Sequence, residues 1–316
     1  MYKKRAIKIL VFLLGLALLL WITSAIFIPK NNSKEAGMEE HFANGILGEP
    51  SNTIDVLILG DSETYSAFTP LQIWQDTGYT VHVSATPAQK LDYSLTLLER
   101  TFENQKPKIV IMETLPIIRE VVEHSPLETD MANAIPIFNY HDRWKSLNSS
   151  DLFSSPVYTW TDPYKGYRYN TYLNGVVAGN YMVPTKEAVK LTPTNIELMN
   201  DIYELCTENG AKLVLVSSPS KVNWNYKRHN AIESLAKELN CEYIDMNLIN
   251  NVVGIDWTKD TRDKGDHLNH SGAVKATKFL SNYLVETGLL TDHRNDEAYK
   301  SWDDALEHYI KGTSKK

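Results

Sequence analysis

Two clusters of polar residues hold the side-chain types that nucleophilic catalysis requires. The first is Gly60-Asp61-Ser62, which directly follows an apolar run at residues 54–59. The second is D-K-G-D-H-L-N-H at residues 263–270. A serine hydroxyl becomes a nucleophile when a histidine takes its proton and a carboxylate holds that histidine. Together the two clusters predict a Ser-His-Asp site with Ser62 as nucleophile and His267 as general base.

Each cluster also has a simpler interpretation. Gly60-Asp61-Ser62 is short enough to be an ordinary turn. Asn269 or Ser271 could cap a following helix, with both histidines in solvent. His267, His270 and a carboxylate are also suitable metal ligands, although their spacing matches no zinc motif. We rank the catalytic site first and a metal site last.

Apolar runs alternate with amphipathic segments along most of the chain. Strands are predicted at residues 54–59, 80–84, 108–112, 212–217 and 242–245. Helices are predicted at residues 71–76, 91–104, 195–209, 231–239 and 271–287. This alternation is typical of a three-layer α/β/α sandwich with a mainly parallel five-stranded sheet. Ser62 then stands at the carboxyl end of the first strand, where open α/β sheets bind ligands.

The N-terminal residues predict a membrane anchor. K-K-R-A-I-K at residues 3–8 precedes residues 9–28, which carry no charge and are long enough to cross the hydrocarbon core as a helix. The basic flank favours a cytoplasmic N-terminus and an extracytoplasmic remainder. A cleaved signal peptide is the alternative, with Ser24-Ala25 as a weak cleavage site. The length of the apolar run favours the uncleaved anchor.

These observations divide the chain into four segments. Residues 1–29 form the basic stub and the anchor, residues 30–52 a polar linker, residues 53–290 the catalytic domain, and residues 291–316 a C-terminal tail. Within the domain, residues 115–190 show no clear strand–helix unit but are dense in tyrosine and tryptophan. Long insertions often carry function, although most of these rings are expected to form a small core. Exposed rings would suit sugar faces, and the predicted substrate-binding residues are Tyr140, Trp144 and Tyr167.

Composition excludes some classes of protein. With 32 basic and 39 acidic residues the net charge is −7, and no basic stripe interrupts the domain, which argues against nucleic-acid binding. A hydrophobic content of 43% is enough for a sizeable core. Cys206 and Cys241 form no disulfide framework; two separate thiols are the favoured interpretation, and one disulfide is the alternative.

The two clusters together resemble the end motifs of the SGNH (GDSL) hydrolase superfamily, through Gly60-Asp61-Ser62 and D-H-L-N at residues 266–269. The chain is also similar to membrane-anchored members associated with surface polysaccharides, akin to the alginate acetylation proteins and the D-alanyl transfer protein of teichoic acid synthesis. Y-H-D-R-W at residues 140–144 and the tail at residues 292–302 resemble features of this narrower group. The resemblance covers about residues 54–312. It implies a flavodoxin-like α/β/α sandwich, a Ser-His-Asp triad, no metal or cofactor, and ester chemistry on carbohydrate acyl groups.

The resemblance assigns Ser62 as nucleophile and His267 as base, but the acid departs from the family's pattern. The family's aspartate usually lies two or three residues before the histidine, where this chain has Lys264 and Gly265. The candidates are therefore Asp263 and Asp266, and Asp263 is favoured because the side chain of an adjacent residue tends to point elsewhere.

The oxyanion hole departs from the pattern as well. The expected donors are the N–H of Ser62 and that of Ala88, which stands where the family has a glycine. The family's asparagine after the third strand is absent, and the chain has Met112-Glu113-Thr114 there. Either Thr114 or a residue of the aromatic insertion substitutes for it, or the site stabilises an oxyanion poorly. Two roles are open for Glu113. A buried polar group that fixes the loop is favoured at least as much as a catalytic residue.

The resulting expectation is a membrane-anchored extracytoplasmic acyl transferase or esterase. The acyl group would be acetyl, and the substrate a surface polysaccharide or a teichoic-acid-like polymer. A membrane-bound O-acyltransferase is the expected partner and acyl donor. The alternative is a catalytically inactive SGNH-like subunit that binds the polymer or serves as a scaffold in a membrane acylation complex.

Overall fold

The predicted parallel sheet is present in the computed structural model, which describes residues 2–123, 125–177 and 179–314. Its strands are β1 (Val56–Gly60), β2 (Val81–Ala85), β3 (Ile109–Glu113), β4 (Lys212–Ser217) and β5 (Glu242–Asp245). The strand order is β2-β1-β3-β4-β5, and every neighbouring pair is parallel. The α/β fold class is therefore confirmed, with each strand within two residues of its predicted bounds.

The helices of the described chain follow in order: α1 (Tyr2–Phe27), α2 (Ser62–Ala67), α3 (Pro70–Thr77), α4 (Leu91–Asn104), α5 (Leu115–Ile118), α6 (Ser125–Ala134), α7 (Ile137–Tyr140), α8 (Pro193–Glu208), α9 (Tyr226–Leu239), α10 (Asn250–Val253), α11 (His270–Glu286) and α12 (Lys300–Thr313). Short 3-10 helices lie at Ala43–Gly48, His141–Lys145, Ser149–Leu152 and Glu297–Tyr299. The five predicted helices correspond to α3, α4, α8, α9 and α11. Of these, α9 begins at Tyr226 rather than at residue 231, because Asn225 caps it by accepting from the Arg228 N–H at 3.1 Å.

Alternate residues of each strand face opposite sides of the sheet, and each side has its own core. Leu57 and Leu59 of β1 pack in a cluster with apolar residues of α4, α8 and α9. Val56 and Ile58 pack in a second cluster with residues of α11. Both faces of β1 and β3 are covered, and these central strands are nearly continuous apolar runs, as the sequence indicated. The edge strand β5, Glu-Tyr-Ile-Asp, is only partly buried.

The strand order places a crevice beside the nucleophile candidate. In a 2-1-3-4-5 sheet the order in which strands are added reverses between β1 and β3, and ligands bind at the carboxyl ends of those two parallel strands. Ser62 follows β1 and Thr114 follows β3. The fold therefore brings the end of the first strand to the position that doubly wound sheets use for chemistry.

The described chain forms two compact units. One comprises the residues up to His41 together with Glu123–Trp160, and the other comprises Phe42–Val122 and Thr161–Lys316. In the first unit, an 18-residue stretch of α1 has a mean hydropathy of 2.7 and is almost wholly exposed, so the helix is long and apolar enough to cross a membrane. The aromatic insertion predicted at residues 115–190 is thus divided between the two units.

Two segments predicted to lie outside the domain are packed within the second unit. Ile46, in the second half of the predicted linker, is buried in the core. Glu49 forms a buried ion pair with Lys165 at 2.6 Å. In the predicted tail, Trp302 of α12 is 1% exposed, because the apolar face of this helix covers the same core. The second half of the predicted linker and the predicted tail therefore contribute to the core of the second unit.

Candidate active site

The last position of β1 has room only for glycine. A Cβ atom at Gly60 would lie 1.9 Å from Thr64 Oγ1 and 2.7 Å from Glu113 Cβ. Asp61 then caps α2 by accepting from the Glu63 N–H at 3.0 Å. Ser62 follows the capping residue and is the half-buried first residue of α2. The local sequence thus fixes the Ser62 hydroxyl at the carboxyl edge of the sheet.

His267 lies between Ser62 and Asp263. Its Nε2 is 2.8 Å from Ser62 Oγ, across 205 residues of sequence, and its Nδ1 is 2.7 Å from Asp263 Oδ2. With the ring proton on Nδ1, that nitrogen donates to Asp263, and Nε2 accepts from the Ser62 hydroxyl. The arrangement is that of a nucleophile, a base and an orienting carboxylate.

A tight reversal explains why a carboxylate four residues before His267 reaches its ring. Lys264 and Gly265 both have left-handed backbone conformations, with φ of 64° and 94°. The chain folds back so that Asp263 Oδ1 accepts the His267 backbone N–H at 2.6 Å, while Oδ2 accepts from the ring. The Thr261 hydroxyl also donates to the His267 carbonyl at 2.9 Å. One carboxylate therefore fixes both the backbone and the ring of the histidine.

The second acid candidate points elsewhere. Asp266 Oδ2 is 3.6 Å from His267 Nδ1, too far for a hydrogen bond. Its Oδ1 instead accepts from the Asn223 side-chain amide at 2.5 Å, and the same amide nitrogen donates to Glu63 Oε1 at 2.7 Å. Sequence reasoning missed Asn223. The available signal was its position in the loop after β4, at the carboxyl edge of the sheet.

Buried carboxyl groups surround the serine. Burial raises the pKa of Glu63 well above its usual value. Burial, followed by the charge of Asp61, raises the pKa of Glu113 to about 8. Glu113 accepts from the Leu115 N–H at 2.9 Å and from the Ser218 hydroxyl at 3.0 Å, which matches the expected loop-fixing role. At neutral pH Glu113 is therefore mainly uncharged, and burial favours the uncharged form of Glu63 as well.

The three predicted oxyanion donors differ in whether their donor groups already have hydrogen-bond partners. The Ser62 and Ala88 N–H groups make no hydrogen bond within the described residues, and Ala88 is exposed with a left-handed φ of 52°. Thr114 is completely buried. Its N–H donates to the Val216 carbonyl at 3.1 Å, and its hydroxyl is 2.6 Å from Ser217 Oγ. Thr114 is therefore not placed to serve as a donor, because both of its polar groups are already bonded to β4.

The predicted substrate-binding aromatics have unequal exposure. Tyr167 is 2% exposed, and its hydroxyl is 3.0 Å from His270 Nδ1, so its ring packs in the core and presents no face to a sugar. Tyr140, in the first unit, is also buried, with its hydroxyl 3.5 Å from Met38 Sδ. Trp144 is 64% exposed. Of the three, Trp144 keeps an accessible ring, and its role in binding remains a prediction.

The two histidines considered as metal ligands are held by different partners. His270 bonds to Tyr167, and its ring packs edge-on to Tyr169 at 4.8 Å between centroids. Burial lowers the pKa of His270. Glu63, Asp266 and His267 do have ligand atoms within 4.8 Å of one another. However, both ring nitrogens of His267 are already bonded to Ser62 and Asp263.

Solved structures with this arrangement of elements include TesA (12% identity, covering 74% of this chain and 99% of that one, TM-score 0.39). A lipase/acylhydrolase from Enterococcus faecalis has 12% identity, coverage of 76% and 98%, and a TM-score of 0.37. A GDSL-like lipase from Bacteroides thetaiotaomicron has 13% identity, coverage of 73% and 88%, and a TM-score of 0.35. No protein-family model matches the chain, and no curated protein matches it in sequence. Because these TM-scores are low, the chemistry proposed below rests on side-chain geometry.

Proposed function

We propose that this protein is a serine-dependent acyl transferase or esterase. The observation that supports it is the continuous chain of hydrogen bonds from Ser62 Oγ through His267 to Asp263, at 2.8 and 2.7 Å. A hydroxyl hydrogen-bonded to an imidazole whose second nitrogen donates to a carboxylate is activated for attack on an ester carbonyl.

The reaction follows from these contacts. Ser62 Oγ attacks the acyl carbon while its proton passes to His267 Nε2, and Asp263 stabilises the imidazolium that forms. The N–H groups of Ser62 and Ala88 are the donors proposed for the developing oxyanion. Collapse of the tetrahedral intermediate releases the alcohol, which takes the proton from His267 and leaves an acyl-Ser62 ester. A sugar hydroxyl or water then loses its proton to His267 and accepts the acyl group, which regenerates the serine.

The compartment and the substrate are further parts of the proposal. A basic flank before α1 favours an uncleaved anchor with the domain outside the cytoplasm. There the substrate would be an acetylated surface polysaccharide or a teichoic-acid-like polymer. A membrane-bound O-acyltransferase would supply the acyl group if the enzyme works as a transferase.

The engagement of Thr114 by β4 favours a second candidate, a polymer-binding subunit without catalysis, because one expected oxyanion donor is missing. Reaction with a fluorophosphonate probe separates the two. We expect the full-length protein in detergent to be labelled at Ser62, and Ser62→Ala to lose both the label and the release of nitrophenol from an acetyl ester. Ser234→Ala, an exposed serine on α9, is the matched control. A folded wild-type protein that neither labels nor hydrolyses the ester would support the non-catalytic subunit.

A further inference from the structure

The end of α1 packs against a short segment of the first unit. Ser24, in the last turn of α1, is buried, and its hydroxyl accepts from the Ile137 N–H of α7 at 3.2 Å. The Phe27 carbonyl accepts from Nη1 of Arg143, in the 3-10 helix that follows α7. The next 3-10 helix along the chain also contacts α1. Residues 137–153, which we call the collar, are therefore fixed to the end of the apolar helix.

Polar contacts hold the collar in this position. Arg143 is buried, and its Nη2 donates to Asp151 Oδ1 at 3.0 Å. The other oxygen of Asp151 accepts from the Asn148 N–H at 2.8 Å, which closes the second 3-10 helix. Beyond the collar, the Val157 N–H donates to the carbonyl of Lys30, shortly after α1, at 2.9 Å. The segment is thus joined to the end of α1 on both sides.

The place of the collar along α1 sets its depth in a membrane. Residues 9–28 carry no charge, and at about 1.5 Å per residue they span roughly 30 Å, the thickness of a hydrocarbon core. Ser24 and Phe27 belong to the last turn of that run. Lys30 follows it, and its ammonium donates to the Ala25 carbonyl at 2.5 Å, as cationic side chains do at helix ends. When α1 spans a bilayer, the collar therefore lies where hydrocarbon meets headgroups.

The side chains that the collar exposes suit that depth. Phe153 is 90% exposed, Trp144 is 64% exposed, and Phe138 and Leu152 are each about half exposed. Aromatic rings are enriched at the boundary between hydrocarbon and headgroups, where they bury an apolar surface. Lys145 Nζ lies 5.5 Å from the centroid of the Trp144 ring. A lysine in that position reaches towards the phosphates while the neighbouring ring stays in the apolar layer.

We propose that the collar is a lipid-binding surface in the interface of the membrane that α1 crosses. The inference rests on α1 spanning that membrane and goes beyond the proposed acyl chemistry. Two acidic and two basic residues leave residues 137–153 without net charge, so binding comes from apolar side chains and needs no anionic lipid. Trp144 then contacts lipid, in place of the sugar predicted from the sequence. The first unit is held against the bilayer by a surface as well as by the helix.

Spin-label accessibility in vesicles tests the proposal. The full-length protein with Cys241→Ser is labelled at Phe153→Cys and reconstituted into phosphatidylcholine vesicles; the remaining thiol, Cys206, is completely buried. Collisions of the nitroxide with oxygen and with a polar nickel chelate are measured by power saturation. Leu14→Cys, exposed on α1, is the reference for hydrocarbon, and Val252→Cys, an exposed apolar residue of α10, is the reference for water.

We expect the label at position 153 to collide with the nickel chelate at least about fivefold less often than the label at position 252, while it remains accessible to oxygen. Leu152→Cys, which keeps Phe153 in place, should give the same result. Equal nickel accessibility at positions 153 and 252 would overturn the lipid-binding surface. Low accessibility to both reagents would indicate contact with protein and would also overturn it.

The references separate this inference from its neighbours. A water-exposed label at position 153 combined with a label at position 14 in hydrocarbon would remove the collar and leave the anchor standing. A water-exposed label at position 14 would show that α1 does not span the bilayer and would overturn the collar with it. Fluorophosphonate labelling of Ser62 in the same vesicles depends on neither result, so failure of the lipid-binding surface and failure of the proposed function are distinguishable.

Discussion

The sharpest test of the candidate triad compares two aspartates three residues apart. Asp263→Asn replaces an acceptor 2.7 Å from His267 Nδ1 with a group that can present an N–H there instead. The ring would then favour the tautomer with its proton on Nε2, which cannot accept the Ser62 proton. In another serine hydrolase this substitution lowers kcat by about 10⁴. We expect a loss of about 10³ to 10⁴ here, equivalent to roughly 4–5 kcal/mol of transition-state stabilisation.

Asp266→Asn provides the matched control. Its carboxylate lies 3.6 Å from the same nitrogen and is bonded to the Asn223 amide, so the substitution removes a nearby charge without touching the ring's hydrogen bond. We expect a loss of less than about tenfold, in keeping with one partly exposed charge. The assay is the initial rate of nitrophenyl acetate hydrolysis by full-length protein in detergent, with far-UV circular dichroism to verify folding.

The result that would refute this reasoning is the reverse ranking. If Asp266→Asn were the more damaging substitution in folded protein, Asp266 would be the orienting acid during turnover. The hydrogen bonds from Asp263 to the backbone and ring of His267 would then serve only to shape the loop. Equal and small effects from both substitutions would mean that no single carboxylate orients the histidine.

Three further predictions concern the turn, the pH dependence of stability and the anchor. Gly60→Ala should destabilise the fold by at least about 1–3 kcal/mol in urea unfolding, because its Cβ would overlap Thr64 Oγ1; wild-type stability would contradict the close packing described. Glu113, whose folded-state pKa is raised from 4.5 to about 8, holds its proton in the folded state while the unfolded chain releases it. Its contribution to the free energy of unfolding should therefore fall between pH 4.5 and 8 by up to roughly 1 kcal/mol per pH unit, and Glu113→Gln should flatten that slope in urea titrations. Finally, the protein should stay with membranes through a carbonate wash, since α1 can span the bilayer, whereas a mature N-terminus near Ser24 would indicate a cleaved signal peptide.

The sheet was predictable because the sequence pattern that indicates it, a short apolar run followed by an amphipathic segment, is local and recurs along the chain. The central strands β1, β3 and β4 are short, mainly apolar runs, because burial on both faces leaves little room for polar residues. The position of Ser62 follows from the same reasoning, since the residue after the first strand of a parallel sheet lies at its carboxyl edge. The packing of the tail was harder to predict. The sequence does not show that Trp302 and Tyr309 are buried, because the core residues that they contact lie far away along the chain.

The details of the site depend on contacts that sequence does not show. Spacing alone left Asp263 and Asp266 as alternatives, because the left-handed conformation of Lys264, which turns Asp263 back towards the ring, is uncommon for a lysine. From the sequence, Thr114 is a reasonable oxyanion donor. Its hydrogen bond with Ser217, 103 residues away along the chain, appears only in the structure. Tyr167 has an aromatic ring of the kind that stacks on sugars, and only its burial in the structure argues against that role.

The sequence separation of 205 residues from Ser62 to His267 has a consequence for the timing of activity during synthesis. The nucleophile leaves the ribosome early, but its base follows only after β5 has been made, and the loop that holds the base is anchored by α11. A nascent or prematurely terminated chain therefore carries a serine without its proton acceptor. Such a chain cannot form an acyl ester at Ser62 at an appreciable rate. Under the proposed function, the order of the elements thus keeps the nascent chain inactive until nearly all of it has been translated.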